Sequence, residues 1–219
     1  MNIIGRRKIF YVISGTIITL SILSVALFRF RFGIDFLGGT FWELRFDESA
    51  AGASTFTHEL KNIFSENQID DLILQKSDTS TFALRLQEIS ESKHQELLSL
   101  IKSRWPDTEE LRFETVGPTI GKTLRRKAIQ SIVLVLFGIS LYIAWAFRKV
   151  SRPLTSWKYG VVTVFTLFHD VIAPIGLFSY LGKLGIAEID SNFIVALLVV
   201  MGFSVHDTIV VFDRVRENL

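Results

Sequence analysis

Cysteine is absent from the 219 residues. That excludes disulfides, zinc-thiolate sites and thiol chemistry, so any domain outside a membrane is held by its own core. Tyrosine and tryptophan are sparse, four of each against nineteen phenylalanines. Charge is missing over long stretches. Ile9 to Phe28 and Ala128 to Phe147 carry none. Gly160 to Leu181 carries only His169 and Asp170, and Phe193 to Phe212 only His206 and Asp207. At 1.5 Å per residue a helix of about 20 residues reaches about 30 Å, the thickness of a bilayer core. What charge there is gathers between residues 43 and 127 and in short runs between the apolar blocks. The sequence therefore predicts an α-helical polytopic membrane protein of four spans, in contact with the lipid bilayer, with a soluble insert between spans one and two.

Basic residues set the expected orientation. Arg6, Arg7 and Lys8 place the N-terminus in the cytoplasm. The loop after the second span carries Arg148, Lys149, Arg152 and Lys158 and no acid, so it is cytoplasmic too. Lys183 is set against Glu188 and Asp190 in the loop after the third span, which fits the outside. Arg214 and Arg216 close the fourth span inside. The first span reads as a retained helix and not a cleaved signal, because Leu27, Phe28 and Arg29 stand where small cleavage-site residues belong.

The insert changes period along its length. Thr40 to Phe46, Asp71 to Gln75, Thr81 to Gln87 and Leu111 to Val116 read as strands. Thr55 to Ser65 and Ser92 to Arg104 read as helices, with Phe56, Leu60, Ile63 and Phe64 on one face of the first and Leu97, Leu98 and Ile101 inward on the second. Pro106 ends the second helix. The order β-α-β-β-α-β predicts an extracytoplasmic α+β domain of ferredoxin-like arrangement. The expected division is 1–32 for the N-terminus and first span, 33–121 for the outer domain with its linkers, and 122–219 for spans two to four. His58 and His94 on the two helices read as solvated surface histidines, since no second ligand or base sits at usable spacing.

An ionisable group at bilayer depth costs about 2.5–3.5 kcal/mol on insertion scales, so Asp170 and Asp207 require a reason. Val200, Ser204, Asp207, Val211 and Arg214 share a helix face. Ser204 and Thr208 flank Asp207 within hydrogen-bonding reach, and Gly202 allows close approach of another helix. A carboxylate in low dielectric can take and release a proton near neutral pH, which is what a proton relay needs. Asp207 is read as that relay. Asp170 reads equally well as relay or as helix glue. His169 and His206, whose side chains titrate in the same range, read more simply as structural. Asp207 paired permanently with Arg214 is the alternative, and Arg214 is most simply a positive-inside anchor.

Four motifs together identify a resemblance. Gly33-Ile-Asp-Phe-Leu-Gly-Gly-Thr40, containing Asp35, Gly38 and Gly39, resembles the SecF-family signature GIDFxGGT. Thr115-Val-Gly-Pro-Thr-Ile-Gly121 resembles its VGPxIG segment, and His169-Asp170 its HD pair. Gly202 to Asn218 resembles GYSxNDTIVVFDRxREN, with His206 where the family has Asn. The resemblance implies an inner (plasma) membrane subunit of the Sec export pathway within the RND superfamily. It implies pairing with SecD, association with the SecYEG channel, and use of the proton motive force to help an unfolded polypeptide late in translocation. It ties ion coupling to Asp207 and makes Gly117, Pro118 and Gly121 a hinge or, equally well, a rigid turn. Family members have six spans, so on this resemblance the last two are lacking.

The resemblance implies no enzyme, no cofactor, no metal and no nucleic-acid partner. Gly38-Gly39 is not followed by a GK[ST] pattern, so no nucleotide-binding loop is expected. Two other readings stay open. One is a non-transducing scaffold whose outer domain docks partners. The other is an intramembrane metal hydrolase using the two His-Asp pairs, disfavoured because no HExxH is present.

Overall fold

A computed structural model describes residues 4–52, 55–148 and 156–218. In chain order α1 (Arg7–Phe28) leads to the one-turn α2 (Ile34–Leu37), β1 (Gly39–Arg45), the short α3 (Glu48–Ala51), α4 (Phe56–Glu66), β2 (Ile73–Lys76), β3 (Thr81–Leu86), α5 (Glu91–Arg104) and β4 (Glu109–Val116). Three long helices complete it: α6 (Pro118–Ala146), α7 (Ser156–Lys183) and α8 (Ser191–Glu217). Among the described residues four helices, α1, α6, α7 and α8, are long and apolar enough to cross a membrane. Lys149 and Arg152, two of the residues used to orient the second loop, lie outside the described residues. The chain divides into two compact units, Met1–Phe32 with Arg126–Leu219, and Gly33–Arg125.

In the second unit the strands form one sheet in the order β2-β3-β1-β4, every neighbouring pair antiparallel. Alternate residues of β1 and β3, namely Trp42, Leu44, Phe82, Leu84 and Leu86, turn to one face. There they meet Phe56, Leu60 and Phe64 of α4 and Leu97 and Ile101 of α5, all buried. Aromatic rings carry much of this core. Phe46, Phe56, Phe82 and Trp105 form one edge-to-face cluster, and Trp42 meets Phe64 and Phe113 edge-on. Such a core serves where disulfides are impossible. Ser90 caps α5 by accepting the Lys93 amide, as its residue type favours.

The β1–β4 register slips between Glu43 and Leu44. Glu43 faces Arg112 and Leu44 faces Glu110, so Leu111 has no partner and turns out to solvent. Bulges re-aim side chains, and this one turns Glu110 inward. Its carboxylate accepts the Trp42 indole N–H at 3.0 Å and lies 2.7 Å from Nε2 of His94. The expectation of a solvated His94 is therefore corrected. The ring is 3% exposed, stacked on Phe113 at 3.6 Å and edge-on to Trp42. Its Nδ1 lies 3.2 Å from Glu91. Hydrogen bonds from the Gln95 amide and from His94 hold the Glu91 carboxyl below the usual carboxylate range. The expectation rested on the lack of a second ligand or base at usable spacing, and the bulge 16 residues later supplies the partner that satisfies the buried ring. His58 is exposed, as expected.

In the first unit α7 packs against α1 on one side and α8 on the other. Ile143 and Phe147 from the end of α6 join Tyr159 and Leu167 of α7 and Met201 and Val205 of α8 in a second buried cluster.

Candidate functional site

Half-way along α7, His169 and Asp170 face each other as neighbours, Nδ1 to Oδ1 at 2.8 Å. Each then reaches a different helix. Nε2 of His169 is hydrogen-bonded to the Ser14 hydroxyl on α1. Oδ2 of Asp170 accepts the Ser204 hydroxyl on α8 at 2.6 Å. A polar chain Ser14–His169–Asp170–Ser204 thus joins three apolar spans, with both acidic oxygens satisfied. Along the same α7–α8 seam Thr208 donates to the Ser204 carbonyl at 2.8 Å and its hydroxyl lies 3.5 Å from that of Thr166. Pro174, inside α7, has no N–H to give the carbonyl of Asp170 four residues before it.

The residues expected around Asp207 are distributed otherwise. Ser204 and Thr208 serve Asp170, the Ser204 carbonyl and Thr166, not Asp207. His206 and Asp207 are exposed on α8, with no side-chain bond among the described residues. Arg214 pairs with Glu217 at 2.8 Å and not with Asp207. The two His-Asp pairs are not brought together, and among the described residues no group of three metal-ligating side chains forms. A carboxylate on the outer side of a span is costly against hydrocarbon, so Asp207 calls for a polar neighbour or water on that face.

Sequence reasoning missed Ser14 and also the glycine that brings α1 to α7. A Cβ on Gly176 would run into Cα and Cβ of Ser21, whereas one on Gly202 meets nothing within 4 Å. Close approach lets Ser24 donate to the Gly176 carbonyl at 2.7 Å and Ser179 donate to the carbonyls of Ser24 and Arg29, the small-residue packing of membrane helices. Gly176→Leu is expected to force the two helices apart and lower stability by at least about 1–3 kcal/mol. A thermal melt in detergent checks this, and an unchanged midpoint would contradict the packing. Beyond the α1 terminus Arg31 bonds Glu188 at 2.7 Å, and the Ile189 amide donates to the Arg31 carbonyl at 2.8 Å.

The two glycine-rich signatures meet each other within the sheet unit. Asp35 lies in the first turn of α2. Gly38 and Gly39 have φ of 81° and 114°, conformations open to glycine. A Cβ on Gly38 would lie 2.9 Å from Pro118, and one on Gly121 would lie 3.0 Å from the Gly38 nitrogen. Gly117 sits beside the Glu88 carboxylate. Pro118 is the first residue of α6, the helix position where its missing N–H costs nothing.

The family model described as protein export membrane protein SecD/SecF, C-terminal, matches residues 96–219. Over its whole length the chain is 40% identical to the protein translocase subunit SecF of Thermobaculum terrenum, of which it covers 70%. It is 35% identical to SecF of Anaerolinea thermophila, covering 69% of it, and 30% identical to SecF of Synechocystis, covering 70%. Among solved structures it resembles the crystal structure of SecDF, a translocon-associated membrane protein from Thermus thermophilus. The TM-score is 0.76 at 30% identity, and the match covers all of this chain and 28% of that one. A second SecDF structure, in the super-membrane-facing form, matches with a TM-score of 0.57. The chain thus spans about 70% of the length of these SecF relatives and 28% of SecDF.

Proposed function

The chain belongs to the SecD/SecF family of protein-export membrane proteins, and from that premise we propose that it is an accessory subunit of the Sec translocase. It is a multi-pass membrane protein. In our reading it sits in the inner membrane with its N-terminus in the cytoplasm. It works with SecD beside the SecYEG channel, and it uses the proton gradient to help an unfolded polypeptide through late in translocation. The sheet unit, with its order β2-β3-β1-β4, is read as a ferredoxin-like domain outside the membrane, bounded near residues 33 and 121.

One observation carries the proton reading: an ionisable chain through three apolar helices, Ser14–His169–Asp170–Ser204. Asp207 follows Ser204 by three residues on α8. We assign the relay to Asp207 and Asp170, assisted by His169 and His206. Ser204 supports Asp170 directly, Thr208 bonds the Ser204 carbonyl beside it, and Arg214 anchors the end of α8. The exposed face of Asp207 suits a polar membrane partner, and SecD is the partner proposed.

The test is export of a secreted reporter in cells that depend on this gene, with Asp207→Asn against wild type. Export should collapse while membrane insertion stays normal. Export at the wild-type rate would remove the relay and leave a non-transducing scaffold as the better reading.

A further inference from the structure

Hydroxyl groups on α1 show two habits. Thr16 and Thr19 turn back to their own helix, donating to the carbonyls of Val12 and Gly15 four residues earlier. Ser14 instead crosses to α7 and bonds Nε2 of His169. A neutral imidazole carries one N–H, and the nitrogen left bare must accept. Nδ1 faces a carboxylate oxygen at 2.8 Å, and that carboxylate already accepts the Ser204 hydroxyl through its other oxygen. Where Asp170 is ionised it can only accept, which puts the imidazole proton on Nδ1. Nε2 is then the acceptor and Ser14 the donor.

We propose that Ser14 is a positioning residue that holds His169 in the Nδ1-protonated tautomer, and that its hydrogen bond reverses when the His169–Asp170 pair takes up a proton. This rests on the relay reading above. The arriving proton leaves a hydronium ion, the carrier that the relay reading supplies, so one O–H bond of that ion breaks as one N–H bond forms at Nε2. Ser14 keeps its own O–H, accepts from Nε2, and turns its hydroxyl toward the Phe10 carbonyl, as Thr16 and Thr19 already do along the same helix. Ser14 therefore makes α1 the span that reads whether the pair is loaded. The chain leaves α1 at Phe28 and reaches Arg31, whose side chain bonds Glu188 at 2.7 Å.

Other ionisable groups on the helices beside α7 do not supply this link. Tyr11 on α1, Tyr142 on α6 and His206 and Asp207 on α8 are all exposed. Arg7 and Lys8 lie nearly two turns before Ser14, Lys158 at the start of α7, and Asp213 and Arg214 further along α8. Ser14 and Ser204 are the contacts through which the pair meets the other spans.

Histidine-labelled chain in lipid nanodiscs tests this by nitrogen NMR, with the His169 signals assigned through His169→Gln. Wild type should show neutral His169 with its proton on Nδ1. Ser14→Ala should shift the Nε2 signal and weaken the tautomer preference, and Ser14→Thr should restore both. In cells Ser14→Ala should slow export by about threefold, the factor an average interhelical hydrogen bond is worth, and Ser14→Thr should not. A proton on Nε2 in wild type, or a Ser14→Ala variant with unchanged tautomer and export, would overturn the proposal. Asp207→Asn run alongside separates the two claims. Export lost in Asp207→Asn but intact in Ser14→Ala sinks the Ser14 role alone. Export intact in Asp207→Asn removes the relay, and with it the loading that the Ser14 bond is proposed to read.

Discussion

Trp42→Ala is expected to remove about 3–5 kcal/mol from the sheet unit. Against the ~5–15 kcal/mol typical of a domain, that brings a domain at the low end of the range close to its unfolding midpoint. Trp42 is wholly buried on the central strand β1. Its ring meets Phe64, Phe113 and His94 edge-on, and its N–H is held by Glu110. Alanine opens a cavity between β1, α4 and α5 and leaves Glu110 with His94 as its remaining buried donor. Trp42→Phe keeps most of the ring contacts and loses the indole donor, so it should cost about 1.5–3 kcal/mol, the value of a hydrogen bond to a charged group. Amide hydrogen exchange on the whole chain in detergent checks both. Protection should collapse in β1, β3 and β4 in the alanine variant while α1, α7 and α8 keep theirs. Strand protection equal to wild type would show that this core does not depend on Trp42.

The four long helices were legible because hydrocarbon imposes a rule that sequence displays directly, an apolar run of about 20 residues with few or no charges. The alternation of strand and helix periods in the insert was legible for a similar reason. Each element buries one face, so Phe56, Leu60 and Phe64 announce a helix, and they are buried as expected. The one-turn helices α2 and α3 were not read, since four residues carry no period. His94 shares the inward face of Leu97, Leu98 and Ile101, but it was misread because its partner Glu110 is set by a one-residue slip in a distant strand. The site shows the same limit. Asp207 and Ser204 are three residues apart, which places them about 60° apart around the helix. That is near enough to share a face and far enough for one to meet α7 while the other stays off it. Gly176 and Gly202 look alike in sequence, and only packing distinguishes the one that touches Ser21. Ser14 is 155 residues from His169, beyond any local pattern.

Asp170 and Asp207 are expected to part company when each is neutralised. Asp170→Ala leaves the His169 N–H and the Ser204 hydroxyl without their acceptor in an apolar seam. Measured interhelical hydrogen bonds in membranes average about 0.6 kcal/mol and reach about 1.7, so losing two should cost about 1–3 kcal/mol. Asp170→Asn keeps one acceptor oxygen and should fall between. Its amide cannot take up a proton, so export should fail in both variants although the asparagine form remains folded. Asp207 makes no side-chain bond among the described residues, so Asp207→Ala in this chain should change stability by no more than about 0.5 kcal/mol. Export should nevertheless collapse. Unfolding of the purified chain in detergent gives the first quantity and reporter export in cells gives the second. The predicted pattern is one carboxylate that matters to both readouts and one that matters to export alone. Equal destabilisation by the two alanine variants would mean that Asp207 is held as firmly as Asp170, and the assignment of α7–α8 contacts to Asp170 would have to be given up.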